Sequence, residues 1–417
     1  MKKLIVFASL LVTSLAAMAQ GLLIQQGNVT YAYPFDEDAV MTMDGTTLTV
    51  NGYEFDLTQV DEIRGTSQLV VPQQVSVNYS GATATVMISG DLAGRVIPTI
   101  DGAHVSVTDN VVKETEEQEF PEVTYVLSGA SGDGSFQQNG SYKATVSLAG
   151  VSLESTACPF EIVNGKRIDI VVAEGTQNTF KDGSNNFRKS AFWVKGHAEF
   201  SGAGVLNVTG TARHAYSSNE YTLLKKSFTG TLNVLSSAED ALHVDQYFEQ
   251  RNGNVVLKNV GGDGLDVSAT EEASDLNNGQ VLISGGTFTV DVAADDTKGL
   301  KSETDMTLTG GRVTAFNSGN GTKGLSVGGN LLVQQDPEAA SNVLPYVYVE
   351  STGDEYTDPV TKDTSKCRGI KVKGNFTFDG GTIERAATST VKATKIISVD
   401  GTYTYKSGIL KNCSISL

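Results

Sequence analysis

The chain has 417 residues, 39% of them hydrophobic, which is ample material for a large core with one or two smaller modules in front of it. Its formal charge is −17, and removing Lys2 and Lys3 with an N-terminal leader makes it −17 − 2 = −19. That balance argues against nucleic acid as a partner and leaves cations or neutral polymers as easier ones.

Residues 1–19 read as a secretory signal: Lys2 and Lys3 form a basic end, Leu4 to Leu15 is largely apolar, and Ala17-Met18-Ala19 offers a cleavage site. No cysteine stands at that site, so a lipid anchor is not expected, and no later segment has the apolar length of a membrane helix. The mature chain is therefore expected outside the cytoplasm, in the periplasm, at the cell surface or secreted.

Residues 20–112 read as one or two small β modules. Gly27-Asn28, Asp44-Gly45 and Asn51-Gly52 are turn signals in a meander to about residue 65, and Ser80-Gly81 and Asp101-Gly102 mark turns in a second stretch from Val70 to Val107. Residues 113–122 pack five glutamates and a proline into ten positions, the composition of a linker. The main domain is assigned to 123–417.

In that domain a short phrase recurs, a small residue followed by an apolar one, a variable one and usually Val or Ser. It reads Ala191-Phe192-Trp193-Val194, Ala215-Tyr216-Ser217-Ser218, Ala241-Leu242-His243-Val244, Gly264-Leu265-Asp266-Val267, Gly299-Leu300-Lys301-Ser302, Gly324-Leu325-Ser326-Val327 and Gly369-Ile370-Lys371-Val372. The intervals are 24, 26, 23, 35, 25 and 45 residues, the long ones holding polar insertions at 268–279 and 334–366. A repeat of about 25 residues means a solenoid.

Alternation within the phrase is that of a strand, with the third position facing solvent. A second strand family keeps step: Val205 to Val208, Thr231 to Val234, Asn254 to Leu257, Gln280 to Ile283, Met306 to Thr309 and Phe376 to Phe378. The expected fold is all-β, a right-handed parallel β-helix in which each strand pairs with its equivalent one turn away.

Such stacking sets equivalent side chains about 4.8 Å apart. The position before the phrase then runs Ser190, His214, Asp240, Asp263, Lys298, Lys323 and Arg368, with Glu239, Asp245, Asp266, Asp295, Asp296 and Glu303 crowding the acidic coils. Two carboxylates about 5 Å apart repel by roughly 3 kcal/mol at an effective dielectric near 20. A Ca²⁺ ion, with ligand distances of about 2.3 to 2.6 Å, would offset this by bridging adjacent coils. Asp240, Asp263, Asp266, Asp295 and Asp296 are the candidate metal ligands. The alternative left open is that these acids cap turns and pair with Lys298, Lys301 and Lys323 without metal.

Lys298, Lys301, Lys323, Arg368, Lys371 and Lys373 form a basic stripe on which an anionic polysaccharide fits, or which neutralises the acids. Trp193 stands in the outward position of its phrase as a candidate sugar-stacking platform, or as a cover for the upper coils. His243 occupies the same column beside Asp266. Of the three cysteines, only Cys367 with Cys413 is a conceivable pair. No nucleophile elbow, zinc spacing, P-loop or dinucleotide fingerprint stands in a credible context.

The run from Ile168 to Phe180, followed by Ala191-Phe192-Trp193-Val194, Gly202 to Val208, Glu239-Asp240-Ala241-Leu242-His243 and Asp295 to Lys301, resembles a family of secreted bacterial carbohydrate-binding-domain proteins. The resemblance covers about Tyr125 to Ser407. It implies a pectate-lyase-like parallel β-helix with calcium between coils, and binding of cellulose and acidic plant polysaccharide without established catalysis. Carried over position by position, it implies calcium contact at Asp240, Asp263, Asp266, Asp295 and Asp296. The chain departs from the pattern at Ser190 and His214, which replace the acid, and at the 334–366 insertion.

Three functions are weighed. The leading one is a non-catalytic, calcium-dependent polysaccharide-binding protein. The second is a polysaccharide lyase in which calcium acidifies the proton α to a uronate carboxylate and Lys301, Lys323 or Lys371 removes it. The third is an adhesin or structural solenoid whose protein partner meets the 334–366 insertion with Tyr346, Tyr348 and Tyr356. Oligomeric state is not legible in the sequence.

Overall fold

The computed structural model describes residues 20–35, 40–115, 117–336 and 344–417. The expected leader at 1–19 lies outside the described residues.

The seven phrases stack in register. Phe192 pairs with Tyr216, and the ladder continues through Leu242, Leu265, Leu300 and Leu325 to Ile370, every step parallel. All seven side chains are fully buried, each contributing roughly 1.5–3 kcal/mol of burial. The phrase strands belong to one 13-stranded sheet. Its first residue is Gly from Gly264 onward because the coils approach closely there: a Cβ on Gly264 would lie 2.4 Å from the Gly299 carbonyl oxygen.

Each coil carries three strands. Ser190–Val194, Ala198–Gly202 and Val205–Gly210 make one coil, and His214–Ser218, Thr222–Phe228 and Thr231–Ser237 the next, each strand pairing parallel with its equivalent. The second strand family thus divides into two columns. Val205–Gly210, Thr231–Ser237 and Asn254–Val260 continue into Thr287–Val292, whereas Gln280–Ile283, Met306–Leu308 and the first part of Phe376–Arg385 follow Ala198–Gly202. Both columns share the same β-branched alternation, and the insertion at 268–279 shifts the spacing between them, which is why they read as one.

The hydrogen bonding does not break at 113–122. Gln74–Ser80 pairs parallel with Val123–Ser131, and His104–Asp109 with Ser135–Asn139, so both sheets run across this segment. Arg95 straps it down: its Nε and Nη2 donate to the two Asp109 carboxylate oxygens at 2.9 and 2.8 Å, and its Nη1 donates to the Pro121 carbonyl at 2.9 Å. The glutamates that suggest a linker line an exposed loop over a continuous core, which extends from Leu22 to Ile415. At its N-terminal end, Gly21–Gln26 and Val29–Pro34 form an antiparallel hairpin, and Met41–Asp44, Thr47–Val50 and Tyr53–Asp56 a three-stranded meander turning at the expected positions.

Candidate functional site

The acidic coils meet just before and within the phrases that begin at Ala241 and Gly264. Asp240 is held from two sides. Its Oδ1 accepts the Asp263 backbone N–H at 2.8 Å, and Oδ2 lies 3.1 Å from His243 Nδ1 and 3.2 Å from His214 Nδ1. Burial pushes its carboxyl up, yet the hydrogen bonds to His214 and His243 prevail and hold it well below the ordinary range.

One coil on, Asp263 repeats the arrangement: its Oδ1 accepts the Lys298 backbone N–H at 2.8 Å. Here burial wins over Lys298 and Lys301 and raises the carboxyl to about 6. Asp266 completes the group, with Lys301 Nζ 2.9 Å from its Oδ1 and 3.6 Å from Asp263 Oδ2. One ligand atom from each of Asp240, Asp263 and Asp266 lies within 4.8 Å of the others.

The Asp295/Asp296 pair does not join them. Asp295 Oδ1 accepts the Asn320 backbone N–H at 2.8 Å, extending the pattern by which each carboxylate caps the following coil. Asp296 adopts a left-handed backbone (φ 53°) and turns toward Lys323, at 3.3 Å, and the Ser365 hydroxyl, at 2.6 Å. Adjacent numbers and like charge suggest one site, but the left-handed turn at Asp296 gives the two acids other partners, Asn320 for Asp295 and Lys323 with Ser365 for Asp296.

His214 was not among the sequence-predicted ligands, although it heads the same column one coil before Asp240. Its ring stacks on His243 with centroids 4.5 Å apart, and its side chain is nearly inaccessible.

A family model described as carbohydrate-binding domain-containing protein matches residues 108–409. The chain belongs to this family. Among solved structures, a polysaccharide lyase-like protein from C. thermocellum is similar over 66% of this chain and 96% of its own, with 17% identity and a TM-score of 0.47. No curated protein matches the chain.

In this carbohydrate-binding-domain chain the basic stripe is largely paired internally. Besides Lys301, Lys298 Nζ is 3.7 Å from Asp296, Lys323 shares that carboxylate and the Ser365 hydroxyl, and Lys371 meets Asp400. Burial works against the charge of Lys301, but Asp266, Asp263 and Asp240 raise it; on Lys323 burial prevails and lowers it. Arg368 has no carboxylate partner among the described residues, its Nη1 donating to the Cys367 carbonyl at 2.9 Å.

Trp193 points out of the sheet but is only 8% exposed, because Arg188 lies 5.0 Å over its ring and pairs with Glu161. Neither open stacking face nor solvent is available to it, contrary to the expectation from alternation alone. Ser217, next in the column, is likewise buried, 2.7 Å from the Ser190 hydroxyl. All three cysteines are free, so the Cys367–Cys413 pairing is corrected: Cys367 packs against Thr322 and Asn317, and Cys413 against the Ile383 carbonyl.

Proposed function

We propose that the protein is an exported, non-catalytic polysaccharide-binding protein. Its strand stack is read as a right-handed parallel β-helix that lays an acidic or cellulosic glycan along the outward face of the 13-stranded sheet. Calcium held by Asp240, Asp263 and Asp266 is part of the reading. The observation that carries it is the convergence of these three carboxylates from consecutive coils, in a chain of the carbohydrate-binding family.

The donor set suits a hard cation. Two backbone N–H groups occupy Oδ1 of Asp240 and Asp263 and fix both carboxylates; Asp263 Oδ2 and the Asp266 carboxylate face Lys301, and Asp240 Oδ2, which lies against His214 and His243, would exchange those contacts for the ion. Lys301 is the positive charge now facing them. Were Ca²⁺ held here, Asp263 and Asp266 would be neutralised without Lys301, whose ammonium would be free to meet a sugar carboxylate beside Arg368, and the ion would supply a positive charge for uronate carboxylates.

Affinity electrophoresis through polygalacturonate tests this. Retardation with Ca²⁺, lost with chelator and in Asp266→Asn, is expected; equal mobility of all samples contradicts the reading.

A lyase reading draws support from one observation, the lowered proton affinity of Lys323, which suits a base. It predicts ultraviolet-absorbing unsaturated product from polygalacturonate at alkaline pH with Ca²⁺. Absence of that product rejects it.

A further inference from the structure

The outward face of the 13-stranded sheet has a second feature, well before the acidic coils. A cavity of about 280 Å³ is lined from the strands Val96–Asp101, His104–Asp109, Ser135–Asn139 and Phe160–Ile162 and by Phe187. Pockets for drug-sized ligands run from about 300 to 1,000 Å³, so this one suits a single sugar ring. Thr99, Asp101, His104, Gln137 and Glu161 make its lining polar, and no lysine or arginine belongs to it.

Phe187 is 82% exposed. A lone exposed phenylalanine is ordinary on a protein surface and carries nothing by itself. This one is held in place from both sides. Asn186, itself buried, donates through Nδ2 to Asp182 Oδ2 at 2.9 Å and to the Ser190 carbonyl at 3.0 Å, and its Oδ1 accepts the Arg188 backbone N–H at 2.8 Å. Arg188 pairs with Glu161 and lies 5.3 Å from the centre of the Phe187 ring. Both neighbours of Phe187 are thus tied to the coil, and the ring is ordered before any ligand arrives.

Two polar groups of the lining have capacity to spare. Gln137 Oε1 accepts from the Ser106 hydroxyl at 2.9 Å and from Asn139 Nδ2 at 3.1 Å, which orients the amide and leaves its Nε2 protons without an acceptor among the described residues. Glu161 is buried, and among the described residues only Arg188 bonds to its carboxylate, so it can accept further donors.

We propose that this cavity binds one uncharged, glucose-like pyranose residue of a polysaccharide, with a C–H face on Phe187 and rim hydroxyls bonded to Gln137 Nε2 and the Glu161 carboxylate. An all-equatorial hexose carries axial C–H groups on its faces and hydroxyls around its rim, which matches one aromatic ring and a few placed polar groups. Asp101 and Glu161 repel a uronate carboxylate, and Arg188 is already engaged by Glu161. Glu161 stands four coils before Asp266 in one outward column, through Trp193, Ser217 and His243, about 19 Å away at the strand spacing. A disaccharide in the cavity therefore does not reach the acidic coils.

The inference rests on the reading of the chain as glycan-binding, but not on calcium. Its test is titration of the purified chain with cellobiose in chelator, followed by ligand-observed NMR. Saturable binding is expected, with digalacturonate about tenfold weaker. Phe187→Ala should weaken cellobiose about tenfold and Phe187→Trp should restore it, while Gln137→Met should weaken it about fivefold, all with unchanged melting. Asp266→Asn should leave cellobiose binding as it is. No cellobiose binding, or equal affinity in Phe187→Ala, overturns this inference even where Ca²⁺-dependent retardation by polygalacturonate persists. Cellobiose binding that needs Phe187, without that retardation, supports it and overturns the calcium reading of the acidic coils instead.

Discussion

Asp263 gives the sharpest quantitative expectation in the metal-free protein. Its folded carboxyl titrates at about 6 against an ordinary value of 3.8 because it is buried. The folded state therefore holds a proton that the unfolded chain has already lost, and stability falls as pH rises from about 4 to about 6. A shift of about two units corresponds to about 3 kcal/mol, of which about 2 kcal/mol falls between pH 4 and pH 7. Asp263→Asn keeps the Oδ1 acceptor for the Lys298 N–H but removes the titration. Urea unfolding of both proteins in chelator, at pH 4 and pH 7, isolates the term as a difference of differences. The variant should gain about 2 kcal/mol on the native protein between these pH values. A stability difference that does not change with pH refutes the burial argument. Adding Ca²⁺ at pH 7 should restore the native protein alone, since the ion needs the ionised carboxylate.

Four other expectations follow from packing and pairing. Phe192→Ala, which removes a fully buried ring stacked 3.9 Å from Phe160, should cost about 3–5 kcal/mol in unfolding free energy. Gly264→Ala should cost about 1–3 kcal/mol, because its Cβ meets the next coil's backbone at 2.4 Å; unchanged melting would contradict the close approach. Trp193 fluorescence should not respond to added oligosaccharide, and Trp193→Ala should lower stability without weakening glycan binding, since Arg188 covers the ring. Reductant should leave the melting temperature unchanged, as the three cysteines are free.

The coil stack was legible because one phrase repeats with an apolar residue that must point inward on every turn. Leu242, Leu265, Leu300 and Leu325 alone set the register of four coils. The third strand column was not legible, since Thr287–Val292 and Gln280–Ile283 carry the same alternation and only their pairing partners distinguish them. Of the acids, Asp240, Asp263 and Asp266 come together because stacking converts a period into proximity. Asp295 and Asp296 do not, because a left-handed turn at Asp296 redirects the chain, a feature with no mark in charge pattern. Trp193 shows the limit of alternation: it gives the direction of a side chain but not what the loop leading into its own strand, here Arg188, lays over it. His214 stands in the same column, but its contacts with Asp240 and His243 come from the next coil and leave no local mark in the sequence.

The central claim is calcium-linked recognition of a polysaccharide on the acidic coils. Its most direct test is calorimetric titration of the purified chain with Ca²⁺ and then with polygalacturonate and cellulose oligomers, with and without chelator. The account predicts saturable Ca²⁺ binding, glycan binding that depends on it, and loss of both in Asp263→Asn/Asp266→Asn. Glycan binding of equal strength in chelator, or no binding of either ligand by the folded chain, contradicts it.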